Sequence, residues 1–71
     1  MIPGRRALLA LLQRMPAREV ARRAHVDPSN VSRWASGEWL PSARARRDLE
    51  LHCRIRAVLW AVNSQQASPE P

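Results

Sequence analysis

The stretch Ala17-Arg18-Glu19-Val20-Ala21-Arg22-Arg23-Ala24-His25-Val26-Asp27-Pro28-Ser29-Asn30-Val31-Ser32-Arg33-Trp34-Ala35-Ser36 holds two short helical patterns separated by a turn. In the first, Val20, Ala21 and Ala24 share one face, and Arg18, Arg22 and Arg23 lie outside it. That is helical spacing. Glu19 and Arg23 stand at i and i+4, a favourable pairing on a helix surface. His25-Val26 make the turn. Asp27-Pro28 then give a strong start signal: a capping acceptor, followed by a residue whose fixed φ suits the first helical position. The second pattern runs from about Pro28 to Ser36, with Val31 and Trp34 turned inward, and Gly37 stops it.

Two helices joined by so short a turn must cross closely, and Ala21 is small where they would meet. Val20, Ala24, Val31 and Trp34 fill the wedge beneath the pair, and Val26 supplies an apolar residue in the turn. The sites between them, Arg18, Arg22, Arg23, Ser29, Asn30, Ser32 and Arg33, are all polar. This is the minimal helix-turn-helix pattern.

Upstream, Leu8, Leu11, Leu12 and Met15 predict a helix over Arg5 to Met15, ended by Pro16. Residues 1–4 read as a flexible start. Downstream, Glu38 to Pro41 form a connector and Ser42 is a candidate cap for a long helix over about Ser42 to Val62. Residues 63–71 are polar, with Pro69 and Pro71, and read as a disordered tail. The expected architecture is all-α: one domain over residues 5–62, a bundle of four to five helices with a long C-terminal helix.

On a wheel of 100° per residue, Leu51, Ile55, Val58 and Val62 gather on one side of that last helix. Leu49, Cys53, Ala57 and Trp60 gather nearly opposite. One stripe can cover the core; the other asks for a second buried surface, most simply a second copy of the chain. Leu51, Ile55, Val58, Leu59 and Val62 are the candidate oligomer contacts, and a homodimer or homotetramer is expected. The alternative is a helix that breaks after Arg46-Arg47 and folds back on its own domain.

Composition supports reinforcement by self-association. A chain of 71 residues has a marginal core. One cysteine, Cys53, allows no internal disulfide, and three Trp are the only aromatic residues besides His. All 12 basic residues are Arg, against 6 acids, for a net charge of +6. Such a balance suggests a polyanionic partner, nucleic acid before anionic membrane. The apolar run Ala7 to Leu12 is too short for a secretory signal and no stretch approaches a membrane span. An intracellular, bacterial-cytoplasm or nucleoid setting is expected.

The run Val26-Asp27-Pro28-Ser29-Asn30-Val31-Ser32-Arg33-Trp34, with Gly37 and Pro41 following, resembles the lambda-repressor-like family of DNA-binding domains. More narrowly, with Trp39-Leu40-Pro41, it is similar to phage CII-type transcription activators. The resemblance covers Ala17 to Pro41. Two positions depart from it. His25 stands where the family usually has Gly, and Ala17 and Pro28 stand where Gln-reading members place their Gln. The resemblance implies a phage, prophage or plasmid transcription regulator that binds duplex DNA, with RNA polymerase a possible partner. Its recognition helix would present Ser29, Asn30, Ser32 and Arg33 to base edges, Arg33 being suited to guanine O6 and N7. Arg18, Arg22, Arg44 and Trp39 would lie on the sugar-phosphate backbone.

Other classes are weaker. His52 and Cys53 are neighbours and point about 100° apart on a helix. No paired carboxylates, Gly-rich phosphate loop or spaced metal ligands occur, so neither catalysis nor a cofactor is expected. A protein-interaction module of phage or plasmid type, built on the same fold and binding a host protein, is the main rival. Membrane activity of the first helix is a distant one.

Overall fold

The computed structural model describes residues 2–61, and within them the chain is all-helical. Four α-helices follow in order: α1 (Pro3–Leu12), α2 (Ala17–Ala24), α3 (Pro28–Ser36) and α4 (Ala43–Cys53). A short 3-10 turn, Ala57–Trp60, comes after them.

Local chemistry accounts for the ends of the middle helices. The Asp27 carboxylate accepts the backbone N–H of Ser29 at 2.9 Å, and Ser42 Oγ accepts that of Ala45 at 3.2 Å. Helix α2 ends in a residue that is left-handed without being Gly: His25, at φ 60° and ψ 45°. The His25 N–H reaches the Arg22 carbonyl at 3.3 Å and the Val26 N–H reaches Ala21 at 3.0 Å, closing a Schellman cap. Helix α3 ends in the same way at Gly37, φ 87°, with Glu38 N–H on the Arg33 carbonyl at 3.0 Å.

Three expectations are corrected. Helix α1 starts at Pro3 rather than Arg5, and Gly4 is buried, so the flexible start does not extend to residues 3 and 4. The long C-terminal helix is not formed: α4 stops at Cys53, where Arg54 turns left-handed at φ 62°. The N–H groups of both Arg54 and Ile55 converge on the Leu49 carbonyl. This turn carries the chain back over the domain, later than the Arg46-Arg47 alternative. The third correction follows. On a continuous helix the two apolar stripes would diverge; with the break, Leu49, Cys53, Ile55 and Trp60 all enter one core with Leu8, Leu11, Val20, Ala24, Val31 and Trp34. Ile55 is 3% exposed and is therefore a core residue, not an oligomer contact. Val62 and the 63–71 segment lie outside the described residues.

Closure of this core depends on one close approach. Trp60 is fully buried, and a Cβ placed on Gly4 would lie 2.4 Å from its Cδ2, 2.7 Å from Cε3 and 2.8 Å from Cγ. Those near-equal distances put the α1 backbone directly over the indole face. Only glycine allows this without displacing the ring. Gly4→Ala is expected to lower the unfolding free energy by about 1–3 kcal/mol, as overpacking does; urea denaturation followed by far-ultraviolet circular dichroism measures it.

Candidate nucleic-acid interface

Helix α3 buries Val31 and Trp34 and exposes Ser29, Ser32 and Ser36, with Arg33 half-buried beside them. Positions 29, 32, 33 and 36 share one helical face. Ser29 is engaged locally: its hydroxyl donates to the Asp27 carboxylate that caps the helix. Asn30 is half-buried and turns toward α4. It lines a cleft of about 320 Å³ together with Val26, Trp34, Trp39, Ser42, Arg44 and Ala45. Three of the residues singled out from the sequence, Asn30, Trp39 and Arg44, thus meet at one place. Arg44 is held there by donating to the His25 carbonyl at 3.4 Å.

Arg33 is positioned by the residues just after its own helix. The Gly37 cap reverses the chain, so Glu38 and Trp39 fold back on the last turn of α3, both N–H groups reaching the Arg33 carbonyl. The Arg33 guanidinium consequently lies 4.5 Å from the Trp39 ring centroid, a cation–π contact, and its Nε is 3.8 Å from Glu38 Oε1. Sequence reading missed Glu38. The signal was Gly37 itself, since a left-handed cap brings the following residues over the final helical turn.

The other basic residues divide. Arg18 is exposed and joins no ion pair among the described residues. Arg22 is paired with Glu19 at 2.6 Å, and Glu19 also receives Arg23 at 3.0 Å, so one carboxylate bridges both guanidiniums. The expected Glu19–Arg23 pair is present, and Arg22 shares it. Arg23 further donates to the His52 carbonyl at 3.4 Å. Arg5 donates from Nε to the Ala35 carbonyl at 2.7 Å, tying α1 to the end of α3.

Cys53 is a free thiol in the core, and burial pushes its pKa up. The His25 and His52 rings meet edge to face, 5.9 Å between centroids, and His25 Nδ1 lies 3.5 Å from Asp48. Among the described residues no group of three or more His, Cys, Asp or Glu side chains is placed to hold a metal ion. Nor is any helix there long and apolar enough to cross a membrane. Comparison with known protein families, with curated proteins and with solved structures found no match.

Two carboxyls in this region sit below their ordinary range. Hydrogen bonds from Arg22, then Arg23, lower Glu19; the Ser29 hydroxyl, then its N–H, lowers Asp27. A carboxyl whose folded pKa is depressed contributes stability above its unfolded pKa and loses it as pH falls through the folded value. Melting temperature is therefore expected to hold through neutral pH and to fall below about pH 4. Asp27→Asn, which keeps a capping acceptor, should flatten part of that acid limb; melting curves recorded from about pH 2 to pH 7 test it.

Proposed function

We propose that this protein is a sequence-specific binder of double-stranded DNA, a helix-turn-helix transcription regulator of phage, prophage or plasmid type acting in the bacterial cytoplasm. One observation carries the reading. Helix α3 buries its apolar pair and exposes a polar face that carries no acidic residue, in a chain of net charge +6. The tight turn at His25–Asp27 and the small, buried Ala21 support a lambda-repressor-like arrangement of α2 and α3.

In this reading the N-terminal half of α3 enters the major groove. Ser29, Asn30 and Ser32 approach base edges, and Arg33 bonds guanine O6 and N7. Arg18, Arg22 and Arg44 fix the register on phosphates, and Trp39 flanks the sugar-phosphate backbone. Arg33 must leave Trp39 and Glu38 to reach a base. Both contacts are partly solvated, and surface contacts of these kinds are worth about 1 kcal/mol or less, so the exchange favours a bidentate guanine. No cofactor or metal enters the readout.

Assembly is part of the proposal. Leu51 and Val58 are 65% and 62% exposed, and Leu59 is half-buried. Among the described residues they are what remains of the apolar surface assigned to self-association once Ile55 joins the core. A homodimer would set two α3 helices about 34 Å apart on an inverted repeat; a homotetramer of the CII kind would read direct repeats. The same exposed pair favours the second reading, a surface that docks a host protein such as RNA polymerase.

Selection of duplexes from a randomised pool tests the function. One motif should be enriched, and its log K should fall steeply with log salt. Arg33→Ala should cost about 1–3 kcal/mol of specific affinity and relax the preference at one base pair. Binding with no motif, or selectivity that survives Arg33→Ala, contradicts this assignment. Leu51→Glu should reduce the mass seen by sedimentation equilibrium while the far-ultraviolet circular dichroism spectrum stays that of the folded chain; an unaltered mass removes Leu51 from the interface.

A further inference from the structure

The C-terminal ends of α1, α2 and α4 bring arginines to one hollow of about 310 Å³. Arg14 comes from the turn that closes α1, Arg23 from the last turn of α2, and Arg54 from the cap of α4. Among the described residues no Asp or Glu lines this hollow. Arg23 is anchored there from two sides, its Nε donating to Glu19 and its Nη1 to the carbonyl of His52, itself a lining residue. Arg14 and Arg54 are exposed, and among the described residues neither side chain has a hydrogen bond or an ion pair. The floor is apolar: Leu11 and Cys53 keep 8% and 7% of their surface accessible, and Met15 is half-buried.

Arg54 is the least expected of the three. It sits at φ 62°, a left-handed conformation that suits Gly and costs a residue with a side chain. The cap of α4 is closed by main-chain bonds to the Leu49 carbonyl and does not use the guanidinium. A cation near a helix C-terminus favours the helix dipole. That accounts for each arginine singly, but not for their meeting around one hollow with an apolar floor.

We propose that this hollow binds a small phosphate monoester carrying an apolar ring or chain. Charge selects an anion: Arg14 and Arg54 have no carboxylate partner among the described residues, and Arg23 shares its own, Glu19, with Arg22. Shape selects the phosphate. A monoester dianion offers three equivalent oxygens on a tetrahedral centre, so it can accept from guanidiniums arriving from different helix ends; a planar carboxylate offers two. The floor selects the substituent, because Leu11, Met15 and Cys53 give an apolar group a surface to cover. Size fits as well: a cavity of about 150 Å³ holds benzene, so the hollow has room for a phosphate joined to one ring. No residue of the hollow is among those proposed to contact DNA, and the test uses no DNA.

Phenyl phosphate is the probe, titrated into the full chain at about pH 7.5, where it is mainly dianionic. Calorimetry should show saturable binding of one equivalent per chain. Methyl phosphate, which has no ring to lay on the floor, should bind several-fold more weakly. Methyl phenyl phosphate, a diester with a single charge like a nucleic-acid backbone, should bind about tenfold more weakly. Arg54→Gly suits the left-handed backbone; it should weaken phenyl phosphate about tenfold while the far-ultraviolet circular dichroism spectrum stays that of the folded chain. Arg14→Gln should weaken it similarly. Arg6→Gln, in the first turns of α1, removes the same charge outside the hollow and should leave affinity unchanged. Any of four results would overturn the proposal. The first is no saturation up to about 10 mM. The second is wild-type affinity in both Arg54→Gly and Arg14→Gln. The third is an equal loss in Arg6→Gln, which would mark attraction to net charge alone. The fourth is equal affinity for the probe and either comparison ester.

Discussion

The contact between Gly4 and the face of Trp60 holds the described chain closed. It joins the first turn of α1 to the 3-10 turn Ala57–Trp60, and both flank the core that α2 and α3 build. Leu8, Leu49 and Ile55 are buried in the same core as Trp60. In a chain of this size one large aromatic side chain is a considerable share of the buried apolar surface. The chain meets its need for reinforcement partly from within, by folding the segment after α4 back on itself.

Arginine has two roles here that composition alone does not separate. Some guanidiniums cap or bridge the fold: Arg5 on Ala35, Arg46 on Pro41 at 2.8 Å, Arg44 on His25 and Arg23 on His52. Each answers a main-chain carbonyl at or near a helix end or loop, where acceptors lack helical partners. Others, such as Arg18, project without such a task. A net charge of +6 thus overstates the freely projecting charge, and the proposed DNA readout rests on a smaller set than the sequence offers.

The helices most legible from sequence are those whose ends are set by local chemistry. Asp27-Pro28 starts α3 and Gly37 stops it, and the observed limits of α2 and α3, Ala17–Ala24 and Pro28–Ser36, coincide with the expected ones. The end of α4 was not legible. No Gly, Pro or Asn marks residue 54, and the left-handed Arg54 is imposed by the burial of Ile55 and Trp60, a tertiary demand with no local signature. Of the candidate site, the exposed face of α3 could be read from periodicity. The stacking of Arg33 on Trp39 could not, because it arises from a reversal at Gly37. The sharing of Glu19 between Arg22 and Arg23 was half legible: i,i+3 and i,i+4 partners are both in reach, and only the second was anticipated.

All three tryptophans of the chain line one cavity, and there is no tyrosine or phenylalanine. The near-ultraviolet absorbance and emission of this protein therefore originate at a single corner, where α1, the end of α3 and the last turn meet. A fluorescence melt reports the opening of that corner, whereas far-ultraviolet ellipticity reports all four helices. Coincidence of the two transitions would demonstrate one cooperative unit. An earlier optical transition would show the corner loosening while α2 and α3 remain folded, the kind of graded stability that local opening produces.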